Sequence, residues 1–339
     1  MGSAIAMIGG LYMVINIIIA LLILIFLYIL FSYIIVSIAY RKQGYAQHVE
    51  YDEVISPDDA GIPIFETDIK TSDGFNIHLY ETDVEEPKGV IILLTGITHL
   101  SITQFFGHAK MFAEQGYSSI LVEARSHGRS DGKHITFGTH DVRDVQAAVK
   151  YIKARMMYQK LPLTIMGFSM GAATAVNAAS TIPEIDALIA CAPFSRWDYV
   201  CTEWIIQRGC PEFIATCLRP CIMIHGRIKF GSDFFKYQPV NTLPLIKEKP
   251  AFFIHSTGDK TVLFENHNRL RRVYHGHNAI FWKRPIEDHY VTDRKNFMKP
   301  WLDVEYKQRL LKFLHEVQAQ HHAKILATIP NHYQEYEQD

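Results

Sequence analysis

Leu163-Thr164-Ile165-Met166-Gly167-Phe168-Ser169-Met170-Gly171-Ala172-Ala173-Thr174-Ala175 is the stretch that decides how this chain is read. Leu163 to Met166 is a short apolar run with the character of a buried strand, and Gly171 to Ser180 is a small-residue helix. Between them, Gly167-Phe168-Ser169-Met170-Gly171 matches G-x-S-x-G. The five letters alone are a weak signal. The strand before them and the helix after them supply the setting in which the motif carries chemistry. A serine on a tight, strained turn is lifted above the end of a sheet, and glycines on both sides, Gly167 and Gly171, let backbone approach backbone. The following helix points free N–H groups and its positive end at any oxyanion that forms on Ser169. Ser169 is the candidate nucleophile.

A serine hydroxyl attacks well only when a base takes its proton. After this kind of turn the acid comes next in the chain and the histidine last. Asp259 lies in His255-Ser256-Thr257-Gly258-Asp259-Lys260-Thr261-Val262, just past the apolar run Ala251 to His255. His289 lies in Pro285-Ile286-Glu287-Asp288-His289-Tyr290, just past Ile280 to Lys283. Both fall in loops at strand ends, where functional groups of α/β sheets gather. Asp198 and Asp233 are weaker acids because they sit in a region without strands. His275 and His277 precede a strand, and His127 precedes the serine. Asp259 should accept from one imidazole nitrogen of His289, and the other nitrogen should serve the Ser169 hydroxyl. An oxyanion needs two donors, expected from the backbone N–H of Met170 and of Ile97, the latter in Thr95-Gly96-Ile97-Thr98 after the strand Val90 to Leu94. These are the parts of an acyl-transfer site.

Working outward, Ile62–Lys70 and Phe75–Tyr80 flank Thr71-Ser72-Asp73-Gly74 and predict a β-hairpin. Strands are then expected at Val90–Leu94, Ser119–Val122, Leu163–Met166, Ala187–Ala192, Ala251–His255 and Ile280–Lys283. Helices are expected at Gln104–Gln115, Asp141–Met157, Gly171–Ser180, Glu265–Tyr274 and Val304–Gln318. Short apolar strands alternating with helices specify an α/β fold, a mostly parallel central sheet covered by helices on both faces. The alternation stops between about 194 and 247, where a helical cap is expected. Within it, Phe213, Ile214, Leu218, Ile222, Met223 and Ile224 form an apolar run. Two readings apply, an acyl channel or, as is usual for such stripes, ordinary cap core. Glu123-Ala124-Arg125-Ser126-His127-Gly128-Arg129-Ser130-Asp131-Gly132 reads as a polar surface loop that shapes the pocket.

From Met1 to Tyr40 there is no charged residue. A helix needs about 20 apolar residues to cross the hydrocarbon core, and this run is longer. A cleaved signal peptide would want a basic start and a shorter apolar stretch, so a single-pass anchor is expected over 1–40. Arg41 and Lys42 follow it and place the catalytic body in the cytoplasm by the positive-inside rule. Residues 41–60 read as a linker, 61–318 as the catalytic domain and 319–339 as a polar tail.

The chain has 339 residues, with 34 Lys and Arg against 35 Asp and Glu. The resulting net charge of −1 leaves no electrostatic footprint for nucleic acid. No phosphate loop, dinucleotide fingerprint or zinc motif occurs, so no cofactor or metal is implied. The five cysteines, Cys191, Cys201, Cys210, Cys217 and Cys221, are read as small apolar fillers, with pairing in the cap left open.

Residues from about 62 to 318 resemble the α/β-hydrolases, most closely the bacterial group related to monoacylglycerol lipases and serine aminopeptidases. The resemblance rests on the GFSMG turn at 167–171, the ARSHGRSDG loop at 124–132, and the segment from Pro250 through Val262. It implies the α/β-hydrolase fold with a cap and the roles already given to Ser169, Asp259 and His289. Three departures stand out. Thr95-Gly96 replaces the usual His-Gly, Glu123 replaces the usual Asp of the second motif, and Asp288 precedes the histidine where Gly is common. The expected activity is hydrolysis of carboxylic esters, on a small-molecule acyl or lipid-like substrate met at the membrane. A peptidase, a thioesterase, an acyltransferase and a non-enzymatic membrane adaptor are the alternatives.

Overall fold

The computed structural model describes residues 2–40, 55–293 and 296–328. The uncharged run at the start is one helix, α1 (Gly2–Tyr40). The hairpin forms as expected. Strands β1 (Ile64–Lys70) and β2 (Asn76–Thr82) pair antiparallel, and Gly74 takes φ 92° in the turn between them. The strongly apolar runs become β3 (Val90–Leu94), β4 (Ser118–Val122), β5 (Leu163–Phe168), β6 (Ala187–Cys191) and β7 (Ala251–Ser256). Every residue of these five strands is buried, as strands covered on both faces must be. β8 (Ala279–Arg284) closes one edge and is only partly buried.

Among the described residues, eight strands form one sheet in the order β1-β2-β4-β3-β5-β6-β7-β8. The pairs from β4 to β8 are all parallel, and β2 joins β4 antiparallel. β3 lies between β4 and β5. The chain therefore leaves β3 toward one side and later returns on the other, which opens a crevice at the carboxyl ends of β3 and β5. Register brings Leu94 of β3 opposite Gly167 of β5, so the loop after β3 meets the turn after β5.

One face of the sheet is covered by α3 (Asp141–Lys153), α4 (Met170–Thr181) and α9 (Glu265–Val273), the other by α2 (Phe106–Ala113) and α10 (Val304–Thr328). α3 has Asp141 and Asp144 in its first turn and Lys150 and Lys153 in its last, which suits the helix dipole. Between β6 and β7 the chain is helical, as α5 (Trp197–Ile206), α6 (Glu212–Phe230), α7 (Asp233–Lys236) and α8 (Pro239–Thr242). Trp197, Phe230 and Phe234 form its aromatic core, with ring centroids 5.0–6.1 Å apart. Of the expected apolar run in this cap, Leu218 and Ile222 are core, while Phe213, Ile214 and Ile224 face outward. The run is thus split between two faces of α6 and lines no single channel.

Two further expectations change. The last helix runs to Thr328 rather than Gln318, so the tail begins later than expected, and 329–339 lie outside the described residues. Tertiary contact extends it, because the His321 ring donates to the Lys160 carbonyl at 3.0 Å and lies 3.5 Å from Asp186. Within the expected linker, Pro57–Ala60 is a 3₁₀ turn capped by Ser56, and Arg41 and Lys42 fall outside the described residues. All five cysteines are unpaired.

Candidate active site

Ser169 sits between β5 and α4 at φ 54°, ψ −116°, a conformation that costs a non-glycine residue energy. What holds it there is the close packing of the turn. A Cβ on Gly167 would lie 2.1 Å from the Gly171 carbonyl oxygen, and one on Gly171 would lie 2.4 Å from the Thr95 carbonyl oxygen. The Ser169 N–H donates to Cys191 at 2.8 Å, tying the turn to the end of β6. α4 starts at Met170, so its first N–H groups have no intrahelical acceptor and stand beside the serine.

The loop after β3 closes in from the other side. A Cβ on Gly96 would lie 3.2 Å from the Ser169 Cβ. Ile97 follows in a turn and packs in the same apolar cluster as Met170. The turn that carries Ile97 and the start of α4 at Met170 thus flank Ser169 on separate elements. The Thr95 that replaces histidine is 1% exposed, and its hydroxyl has no partner among the described residues.

Asp259 and His289 come together from loops 30 residues apart, at 2.7 Å between Oδ2 and Nδ1. The other carboxylate oxygen accepts from the N–H groups of Thr261 and Val262 at 2.8 and 2.9 Å. Burial works against the charge on Asp259, but the charges and hydrogen bonds of His289 and His255 outweigh it and hold the carboxyl well below the usual range. His289 is held against Phe168, the residue before the nucleophile, with ring centroids 4.9 Å apart. Tyr290 stacks on the same Phe168 at 5.1 Å and 6°, and the Asp288 carboxylate accepts from its N–H at 3.4 Å. His289 is therefore positioned by the residue adjacent to Ser169. His275 and His277 stand exposed before β8, at the opposite end of that strand from His289.

Two neighbours of the site escaped the sequence reading. His255 is fully buried in β7. Its Nε2 donates to the Val262 carbonyl at 2.8 Å and lies 3.3 Å from Asp259 Oδ2, so a second imidazole faces the acid. The only signal was its place four residues before Asp259 in an otherwise apolar strand. His99 is buried against Phe297, Phe168 and Tyr290, and burial pushes its pKa down to about 3.

The 123–132 segment is a correction. Arg125, Ser126 and His127 are buried while Gly128, Arg129 and Asp131 are exposed, so the first half of the segment is interior and only its second half is surface loop. Arg125 bonds Asp144 at 2.6 Å and Asp73 at 2.8 Å. Glu123 accepts from Ser101 and from the Arg129 N–H, and Gly128 at φ 47° leaves room for the Glu123 carboxylate. His127 Nδ1 lies 3.2 Å from its own loop's Arg125 carbonyl. The segment bolts the end of β4 to α3 and to the hairpin turn.

Residues 85–226 match the sequence model of a family described as serine aminopeptidase, S33. Protein YqkD of Bacillus subtilis (strain 168) is 26% identical over 217 residues, which are 63% of this chain and 69% of that protein. Protein ABHD12B of Homo sapiens is 25% identical over 202 residues, 57% of this chain and 52% of that protein. Among solved structures, the Pyrococcus furiosus esterase Pf2001 aligns at a TM-score of 0.60 and 22% identity, covering 80% of this chain and 98% of that one. The esterase EaEST from Exiguobacterium antarcticum aligns at 0.52 and 17% identity, covering 74% and 99%.

Proposed function

By fold this chain is an α/β-hydrolase, and we propose that it is a membrane-anchored serine esterase that cleaves lipid-like acyl esters through Ser169, His289 and Asp259. The observation that carries the reading is the Asp259–His289 bond of 2.7 Å, formed beside a serine held at φ 54° on a glycine-flanked turn. A scaffold without chemistry has no use for that strain.

The chemistry follows from the geometry. Asp259 fixes the Nδ1–H tautomer of His289 and leaves Nε2 as the base. As Ser169 Oγ bonds to the ester carbonyl carbon, its proton passes to Nε2. The carbonyl electrons move onto oxygen, where the N–H groups of Met170 and Ile97 stabilise the charge. Collapse breaks the bond to the alcohol oxygen, which takes the proton from the imidazolium. Water then repeats the sequence on the acyl-enzyme, releases the acid and restores Ser169. No cofactor is needed for any step.

The choice of ester over peptide rests on the cap. A peptidase that grips a free amino terminus needs a carboxylate facing its pocket. Asp198 is buried and paired with Arg196 at 2.8 Å, Glu203 with Arg269 at 2.8 Å, and Asp233 with Arg143 at 2.6 Å. Glu212 is exposed at the start of α6. The membrane part of the proposal rests on α1, which is long and apolar enough to cross a bilayer.

The test is hydrolysis by the full-length chain in detergent micelles, with p-nitrophenyl esters of graded acyl length set beside aminoacyl p-nitroanilides. Ester turnover should dominate and should fall by about 10⁴–10⁶ in Ser169→Ala. Equal turnover in that variant, or release of nitroaniline alone, would overturn the reading.

A further inference from the structure

α1 has 39 residues, roughly 58 Å at 1.5 Å per residue. The hydrocarbon core needs only about 20 of them. The surplus is not idle. Ser32, Ile35 and Val36 are buried, and they are buried against the cap. Tyr28 donates its hydroxyl to the Cys217 carbonyl of α6. Ser32 lies 3.0 Å from His225 Nδ1, and Tyr33 meets the same ring edge-on at 5.7 Å. Ile35 and Val36 belong to the apolar cluster that also holds Trp197, Phe230, Met170 and, at its edge, Ile97. The final turns of α1 are thus a component of the cap.

These contacts also orient α6. Passing from Tyr28 to Ser32 along α1 passes from Cys217 to His225 along α6, so the two helices run in the same sense. The start of α6 therefore lies nearest the part of α1 that would sit in lipid. That end presents Phe213, 71% exposed, and Ile214. Ile224 and Ile228 continue along the helix, and exposed Arg227 and Lys229 flank its far end. An apolar end beside a span, followed by basic residues farther out, fits a bilayer surface with anionic headgroups.

We propose that the amino-terminal end of α6 is a membrane-binding surface, with Phe213 and Ile214 dipping into the interfacial layer of the bilayer that α1 crosses. The cap then rests on lipid and Ser169 lies beneath a helix in contact with the source of its substrate. This rests on the reading of α1 as a span.

The test uses the full-length chain in vesicles of acyl-brominated phosphatidylcholine with anionic phosphatidylglycerol. Trp is introduced singly by Phe213→Trp, Ile228→Trp and Met156→Trp, and the signal of the unsubstituted chain is subtracted. Met156 is 88% exposed and precedes β5, at the opposite end of the sheet from Ser169. Quenching by bromine should be strongest at 213, weaker at 228 and absent at 156. A chain that floats with the vesicles yet shows no more quenching at 213 than at 156 would overturn the proposal while leaving the anchor intact. A chain that fails to float would remove both. Emission at 213 that responds to protein concentration but not to bromine would assign the face to a second copy, and would also overturn it.

Discussion

At the scale of single residues, the site depends on atoms that are missing as much as on those present. Gly171 has no room for a side chain, since a Cβ would meet the Thr95 and Leu94 carbonyl oxygens at 2.4 and 2.6 Å. Both are backbone atoms of β3 and of the loop that leads to Ile97, the proposed second oxyanion donor. Gly171→Ala should therefore cost about 3 kcal/mol or more of stability, seen as a lower urea midpoint, and should abolish ester turnover in the protein that still folds. An unchanged midpoint would show that the turn is looser than described. The turn at Ser169 and the loops that hold Asp259 and His289 were legible in the sequence because each is a local pattern, a small-residue turn or a loop directly after an apolar strand. His255 was not, because its role depends on where the loop after β7 folds back, and an isolated histidine in an apolar strand carries no sign of that.

At the scale of elements, alternation of apolar runs with helical stretches was enough to place the strands, since five of them are buried throughout and have no polar face to confuse the pattern. The 123–132 segment was misplaced for the opposite reason. Its composition is that of a solvated loop, and only partners distant in sequence, Asp73 and Asp144, turn Arg125 into a buried structural residue. Asp73 is partly buried, which opposes its charge, yet the bonds from Arg125 and its neighbours hold its carboxyl well below the usual range. Removing the cation strands the buried Asp144 carboxylate, while Asp73 keeps Arg143 at 2.9 Å. Arg125→Met should lower stability by about 3–5 kcal/mol, and adding Asp144→Leu should recover part of the loss. The reading of this segment as a bolt fails if Arg125→Met leaves the denaturation midpoint where it was.

At the scale of the whole molecule, three histidines are folded in without charge. Burial pushes the pKa values of His99, His108 and His267 down to about 3, from 6.5. Below about 6.5 the unfolded chain takes up these protons and the folded chain does not, so stability should fall as pH drops from 6.5 toward 3. Each histidine contributes up to about 1.4 kcal/mol per pH unit. Urea midpoints of the detergent-solubilised chain should therefore decline steadily over that window, with a shallower slope in His108→Gln; a flat profile would mean that these rings ionise in place. The docking of α1 onto α6 was likewise invisible in the sequence. An uncharged run of 40 residues is long enough for a membrane span, but its length alone does not say which of its turns pack against the rest of the chain. The claim on which everything else rests is that Ser169 is an activated nucleophile, and the most direct measurement is to treat the full-length chain with a fluorophosphonate, digest it and locate the adduct by mass spectrometry. One adduct, on the peptide that carries Ser169 and lost in both Ser169→Ala and His289→Ala, is the expected result. A folded chain that takes up no label, or takes it up on another serine, would contradict the account.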